Sequence, residues 1–249
     1  LALVECRFSD ILRIYLVEER VRDLAKVLKQ CAAERKPYRV VTAEELEKIT
    51  ESRHHEGVCI AARSRPLDTL DSLVELAQQQ AGKLCLLALE EVGNPHNVGA
   101  ILRVAAHFGV DAVLIRQSAG TDKVLSSAAH RTSEGGAERV RIVPCPQLTV
   151  ALERLRAAGL RLVSTSSHAQ TSLYETKLPQ RCVILLGAES TGLPWEMRKA
   201  SDLDLSIPGA GAVESLNVSC AASVVLGEFW HQHRRPEAKG RVPRAPRTR

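Results

Sequence analysis

A chain of 249 residues has room for one large domain or for a small domain beside a medium one, and 45% hydrophobic with 25% charged residues is ordinary globular composition. Aromatics at 3% leave the core to Leu, Val, Ile and Ala, and no apolar run approaches the roughly 20 residues that span a bilayer. The net charge of +5 is concentrated at the end of the chain, where 232–249 holds seven basic residues against Glu237 and leaves the remainder close to neutral.

The chain opens on Leu1 rather than methionine, which reads as a fragment or a trimmed start, and no signal-peptide layout follows. Seven scattered cysteines without a C-x-x-C pair offer neither a disulfide framework nor a metal site. They read as reduced, buried residues of a cytoplasmic protein.

In chain order, Ile11 to Val17 reads as a strand and Val21 to Ala32 as a helix, with apolar residues at Val21, Leu24, Val27 and Leu28. Tyr38 to Val41 is a second strand. Thr42 followed by Glu45 is a capping-box pattern opening a helix through Ile49. Val58 to Ala62 closes a small βαβαβ unit that ends at about residue 66. Residues 67–83, with Pro66 before them and the run Gln78-Gln79-Gln80 inside, read as a linker around an amphipathic stretch.

From Leu84 the pattern becomes apolar strands alternating with helices. Strands are expected at 84–89, 112–115, 139–143, 160–164, 182–186 and 203–207, with helices at 98–108, 147–158, 194–199 and 216–230. That alternation predicts an α/β domain over 84–231, a parallel sheet covered on both faces. Residues 232–249, basic and proline-containing, read as a disordered arm suited to phosphate backbones.

Three segments of this second unit follow strands, where open α/β sheets bind ligands. The first is Asn94 to Arg103. Asn97 reads as a cap for a helix starting at Val98, with Arg103 on roughly the same side. Taken alone, Arg103 would merely pair with a nearby acid. The second, Gly187 to Pro194, sets two glycines around Glu189. The third, Ile207 to Ser219, is a glycine loop leading into a helix. A dinucleotide fingerprint starting at Gly209-x-Gly211 fails, because its third glycine would fall at Glu214. Capping alone is the plain alternative role for Ser215 and Asn217.

Together N-x-G-x-x-x-R at Asn97 to Arg103, G-x-E-x-x-G-L at Gly187 to Leu193, and I-P-x-x-G-x-V-E-S-L-N-V-S at Ile207 to Ser219 resemble the three motifs of the SpoU (TrmH) family. These are RNA ribose 2′-O-methyltransferases of the SPOUT superfamily. The resemblance covers about 84–230, and 1–66 is more loosely similar to the L30e-like substrate-binding domain of many members. It implies a parallel sheet tied in a trefoil knot, a homodimer with the last helix at the contact, and methyl transfer from S-adenosylmethionine to rRNA or tRNA. No metal is implied. By position, Leu186, Gly187, Gly192, Ile207, Ser215 and Leu216 would hold the cofactor. Asn97, Arg103, Glu189, Ser215 and Asn217 match the active-site set. Glu189 is expected to orient Arg103 or a backbone amide, with the three loops meeting at one sheet edge. A catalytically silent RNA-binding or assembly protein with the same fold is the alternative. Two features depart from the family pattern. Pro208-Gly209 stands where many relatives carry a larger residue, and the polar run Ala128 to Gly136 reads as an RNA contact or as a surface helix end, the contact being favoured.

Overall fold

The computed structural model describes residues 2–116 and 125–234. The chain divides into two units, Leu1–Pro66 and Leu67–Arg249. In the first, the short helix α1 (Ala2–Arg7) leads into β1 (Ile11–Leu16). Then come α2 (Ala25–Ala33), β2 (Tyr38–Val40), α3 (Ala43–Thr50) and β3 (Val58–Ala62). The strand order is β2-β1-β3, with β2 parallel and β3 antiparallel to β1. Alternation along β1 buries Ile14 and Leu16, and a register shift between Ile11 and Arg13 turns Ile11 to the same side, beside Leu28 and Cys31 of α2. Thr42 caps α3 as its spacing predicts. Its Oγ1 accepts from the Glu45 amide at 3.2 Å, and the Glu45 carboxylate accepts from the Thr42 amide at 3.0 Å. Helix α2 starts four residues later than its periodicity suggests, because a 3-10 turn occupies Glu18–Arg20.

The segment expected to be a linker is a helix instead. Thr69 caps α4 (Leu70–Gln79), which buries Leu73 and Ala77 in the core of the second unit. The two residues lie one turn apart and so share a face.

The second unit continues through β4 (Leu84–Leu89), α5 (Pro95–Phe108), β5 (Ala112–Arg116), α6 (Ser127–Thr132), α7 (Gly136–Arg139), β6 (Arg141–Cys145) and α8 (Leu148–Ala157). After these come β7 (Arg161–Thr165), the two-residue β8 (Thr171–Ser172), β9 (Arg181–Leu186), α9 (Trp195–Ala200), β10 (Leu203–Ser206) and α10 (Val218–His233). All seven strands run parallel in the order β6-β5-β4-β9-β7-β10-β8. Every residue of β4 is buried, as a central strand covered on both faces requires. One apolar layer joins the sheet to α5 and α10, the other to α4 and α8. Each fully buried Leu in these layers contributes about 1.5–3 kcal/mol.

Three further expectations are corrected. Strand β6 begins at Arg141 rather than 139, because α7 occupies Gly136–Arg139. Gln232 and His233, assigned to the tail, form the last turn of α10. The Gln232 side chain accepts from the Leu178 amide at 2.8 Å and donates to the Thr176 carbonyl at 2.9 Å. Residues 235–249 of the expected tail lie outside the described residues. Of the seven cysteines, all free, four are buried, but Cys6 and Cys220 are exposed. Among the described residues no helix is long and apolar enough to cross a membrane, and no group of His, Cys, Asp and Glu could hold a metal ion.

Candidate active site

The site begins with two neighbouring strands. Leu89 and Leu186, the last residues of β4 and β9, are register partners, so the loops that follow leave the sheet side by side. After β4 the chain turns into α5, capped by Asn94, whose side-chain oxygen accepts from the His96 amide at 2.9 Å, with Pro95 in the first turn. The cap is therefore Asn94 and not Asn97. Asn97 sits in the first turn, only 8% exposed, and its Nδ2 donates to Glu189 Oε1 at 2.6 Å.

After β9, Gly187 and Gly192 close the loop that carries Glu189. A Cβ on Gly187 would lie 2.2 Å from the Gly192 carbonyl carbon, so only glycine fits. The amide of Gly192 donates to the Ala188 carbonyl at 2.9 Å. Asn217 arrives from the third segment as the cap of α10, its Oδ1 accepting from the Ser219 amide at 2.9 Å. Its Nδ2 donates to Glu189 Oε1 at 2.5 Å and to Asn97 Oδ1 at 3.2 Å. One carboxylate oxygen thus receives two side-chain amides, beside the first turns of two helices whose N-terminal dipoles favour negative charge.

A cavity of about 270 Å³ opens next to this cluster. Leu186, Gly187, Gly192, Ile207, Ser215 and Leu216, all expected to hold the cofactor, line it, and so does Glu189. Its wall mixes Leu205 and Val218 with hydroxyls and loop backbone. Its volume is close to the lower end of small-ligand sites, about 300 Å³. Apolar walls for a purine and hydroxyls for a ribose and an amino-acid tail suit S-adenosylmethionine.

Two expected relations are not found. Arg103 does not meet Glu189; its Nη1 donates to Glu134 Oε1 at 2.6 Å, and both side chains are more than half exposed. The reason is helical geometry. Six residues turn the helix by about 600°, a third of a turn short of realignment, and advance it by about 9 Å. Ser215 lines the cavity but makes no hydrogen bond to the Asn97–Glu189–Asn217 cluster among the described residues, and Asn217 caps α10.

The polar run Ala128 to Gly136 packs in part on α5, while His130, Arg131 and Glu134 stay exposed. A Cβ on Gly99 would meet the Ala129 carbonyl oxygen at 2.6 Å, and Ala129, Ser133 and Gly136 are buried. Sequence reasoning missed Thr165 to His168 as cavity lining, although a polar T-S-S-H run after the apolar β7 obeys the same strand-end rule. It also missed Arg198, which lines the cavity while forked onto Asp204 at 2.7 and 3.2 Å. Glu90, just after β4, pairs with Arg116, and its Oε2 has no partner among the described residues. Burial raises its pKa, and the guanidinium opposes that rise.

Comparison with known proteins gives concordant matches. The model of the SpoU rRNA methylase family matches residues 84–227, and that of the RNA 2′-O ribose methyltransferase substrate-binding domain matches residues 1–67. A protein of Escherichia coli O157:H7 described as an uncharacterized tRNA/rRNA methyltransferase is 39% identical over 94% of this chain, which spans 66% of that relative's length. The 23S rRNA (guanosine-2′-O-)-methyltransferase of Nitrosomonas europaea is 34% identical over 93% of this chain and 86% of its own. An AdoMet-bound rRNA methyltransferase from Sinorhizobium meliloti shares the fold at a TM-score of 0.74 and 22% identity, covering 94% and 85% of the two chains. The chain belongs to the SpoU rRNA methylase family, the enzymes that move a methyl group from S-adenosylmethionine to a ribose 2′-hydroxyl of RNA.

Proposed function

We propose that this chain methylates the ribose 2′-hydroxyl of a guanosine in large-subunit ribosomal RNA, working in the cytoplasm as a homodimer. The observation that carries the reading is the Asn97–Glu189–Asn217 cluster at the rim of the cavity. The target is carried by relatives such as those of Nitrosomonas europaea and Pseudomonas aeruginosa, both named 23S rRNA (guanosine-2′-O-)-methyltransferases. Trp230, on α10 and 41% exposed, supports pairing through that helix. The knotted path of the C-terminal segment is inferred from the match to the family alone.

S-adenosylmethionine, when bound, supplies a methyl group already activated by its sulfonium. The protein's residues then have to hold the ribose in line and ease the loss of its hydroxyl proton. Leu186, Gly187, Gly192, Ile207, Ser215 and Leu216 would hold the cofactor. Glu189 fixes the side-chain amides of Asn97 and Asn217, so both stay aimed at the rim of the cavity. Arg103 brings a cationic fork of N–H donors with no acceptor, which suits it to hold an anion rather than to take up a proton. It therefore clamps the RNA phosphate and stabilises the developing alkoxide, while the proton leaves to solvent.

The test is transfer of labelled methyl groups to large-subunit rRNA lacking the modification, with the labelled nucleotide mapped. Transfer to a guanosine ribose is the expected outcome; RNA binding without transfer would mean a silent RNA-binding protein. Arg103→Ala should lower turnover about 10²–10³-fold. Arg103→Lys should stay nearly as low, because lysine lacks the planar fork. Near-normal turnover with lysine would refute the clamp.

A further inference from the structure

The polar run between the first two motifs places a carboxylate against Arg103. Glu134 lies in the turn between α6 and α7, and its Oε1 accepts from Arg103 Nη1 at 2.6 Å. With side chains 57% and 63% exposed, the pair gains little from Coulomb attraction in water and is a poor stabilising device.

Its setting is nevertheless rigid. A Cβ on Gly136 would lie 2.6 Å from the Leu102 carbonyl oxygen and 2.8 Å from Arg103 Cα, so the turn rests directly on the backbone that carries the guanidinium. Ser133, fully buried, donates to the His130 carbonyl at 2.8 Å and accepts from the Ala137 amide at 3.3 Å. Glu134 itself has φ of 44°, in the left-handed region that side chains other than Gly and Asn rarely occupy. A glycine would fill that backbone position at lower conformational cost. What glutamate adds at that position is the carboxylate on Arg103.

We propose that Glu134 is a positioning residue for methyl transfer: it holds one edge of the Arg103 guanidinium and leaves the opposite edge free for an RNA phosphate. The proposal rests on the reading of Arg103 as the phosphate clamp. A guanidinium has five N–H donors, and among the described residues Glu134 is the sole partner of this one. Bonding at Nη1 leaves the fork formed by Nε and Nη2, the geometry that grips a phosphate through two parallel bonds. It also keeps the cation between carboxylate and phosphate, so the two anions do not face each other.

The positive φ supplies a test that separates positioning from folding. Glu134→Gly removes the carboxylate while relieving the backbone, so its melting temperature should equal or exceed that of the parent. The readouts are kcat and KM with labelled S-adenosylmethionine and total RNA from cells lacking this protein, with cofactor affinity measured separately. The expected result is kcat lowered on the order of tenfold to a hundredfold, with cofactor affinity unchanged. Glu134→Gln, which keeps an acceptor oxygen at the same reach, should recover part of the loss. Combining Glu134→Gly with Arg103→Ala should cost no more than Arg103→Ala alone. Wild-type or faster turnover by Glu134→Gly overturns the proposal. Should Arg103→Ala also turn over normally, the clamp reading falls first. A parent chain that methylates nothing in that RNA removes both.

Discussion

At the residue scale the site depends on which glycines are glycine for lack of space and which for backbone sign. Gly187 belongs to the first kind: its absent Cβ would be 2.4 Å or less from the carbonyl carbon and oxygen of Gly192 and the amide nitrogen of Leu193, all backbone. Gly192 is of the second kind, with φ of 66° and open space around it. Gly187→Ala should therefore spread the loop that carries Glu189 and lines the cavity. We expect a loss of about 1–3 kcal/mol of stability, as for overpacked sites, and at least tenfold weaker S-adenosylmethionine binding by calorimetry. Gly192→Ala should strain the turn yet retain much of the binding. Equal binding by Gly187→Ala and the parent would show that the crossing is not part of the cofactor wall. Asn97, Glu189 and Asn217 stood out through the family motifs; by residue type alone Asn97 read as a helix cap, and capping, which Asn217 does perform, was an equally plain use. The partner of Arg103 did not stand out. Glu134 lies 31 residues further on, and the helical offset from Asn97 turns Arg103 towards it rather than towards Glu189.

At the element scale, periodicity identified most strands and helices, and it failed where composition spoke louder. The amphipathic stretch beginning at Leu67 was visible, but Pro66 and the glutamine run made it resemble a tether. The capped helix α4 instead covers one face of the sheet through Leu73 and Ala77. Its attachment is reinforced by Arg154, which donates to Asp71 at 2.6 Å, and by Arg181, which donates to the Ala77 carbonyl at 2.5 Å. A tether would tolerate Leu73→Ala without effect. A packed helix should lose about 2–5 kcal/mol in denaturant unfolding, the range for deleting a buried leucine side chain. A change below about 0.5 kcal/mol, typical of surface positions, would return the segment to linker status. Strand β8 and helices α6 and α7 left little trace because two to six residues carry less than two turns of any period.

At the scale of the whole molecule, the sequence indicated a parallel sheet, but strand order depends on pairings between distant segments. Strands β4 and β9 are neighbours although four strands lie between them in the chain, and this adjacency brings Asn97 to Glu189. Local patterns hold no record of such a pairing, and the usual preference for neighbouring sequential strands points elsewhere. The two units keep separate apolar cores: the first is built around Ile11, Ile14 and Leu16, the second around its seven-stranded sheet. Every residue lining the candidate cofactor cavity falls between Thr165 and Ala221, within the second unit. A chain starting at Leu67, which keeps α4, should therefore fold and bind S-adenosylmethionine with unchanged affinity. Its methylation of ribosomal RNA should show KM raised at least about tenfold, since the lost unit matches the substrate-binding family and its contacts would contribute about 1.4 kcal/mol or more. Calorimetry and steady-state methylation on the same preparation separate the two effects. If RNA KM stayed the same while cofactor affinity fell, the division of labour between the units would be the reverse of the one proposed.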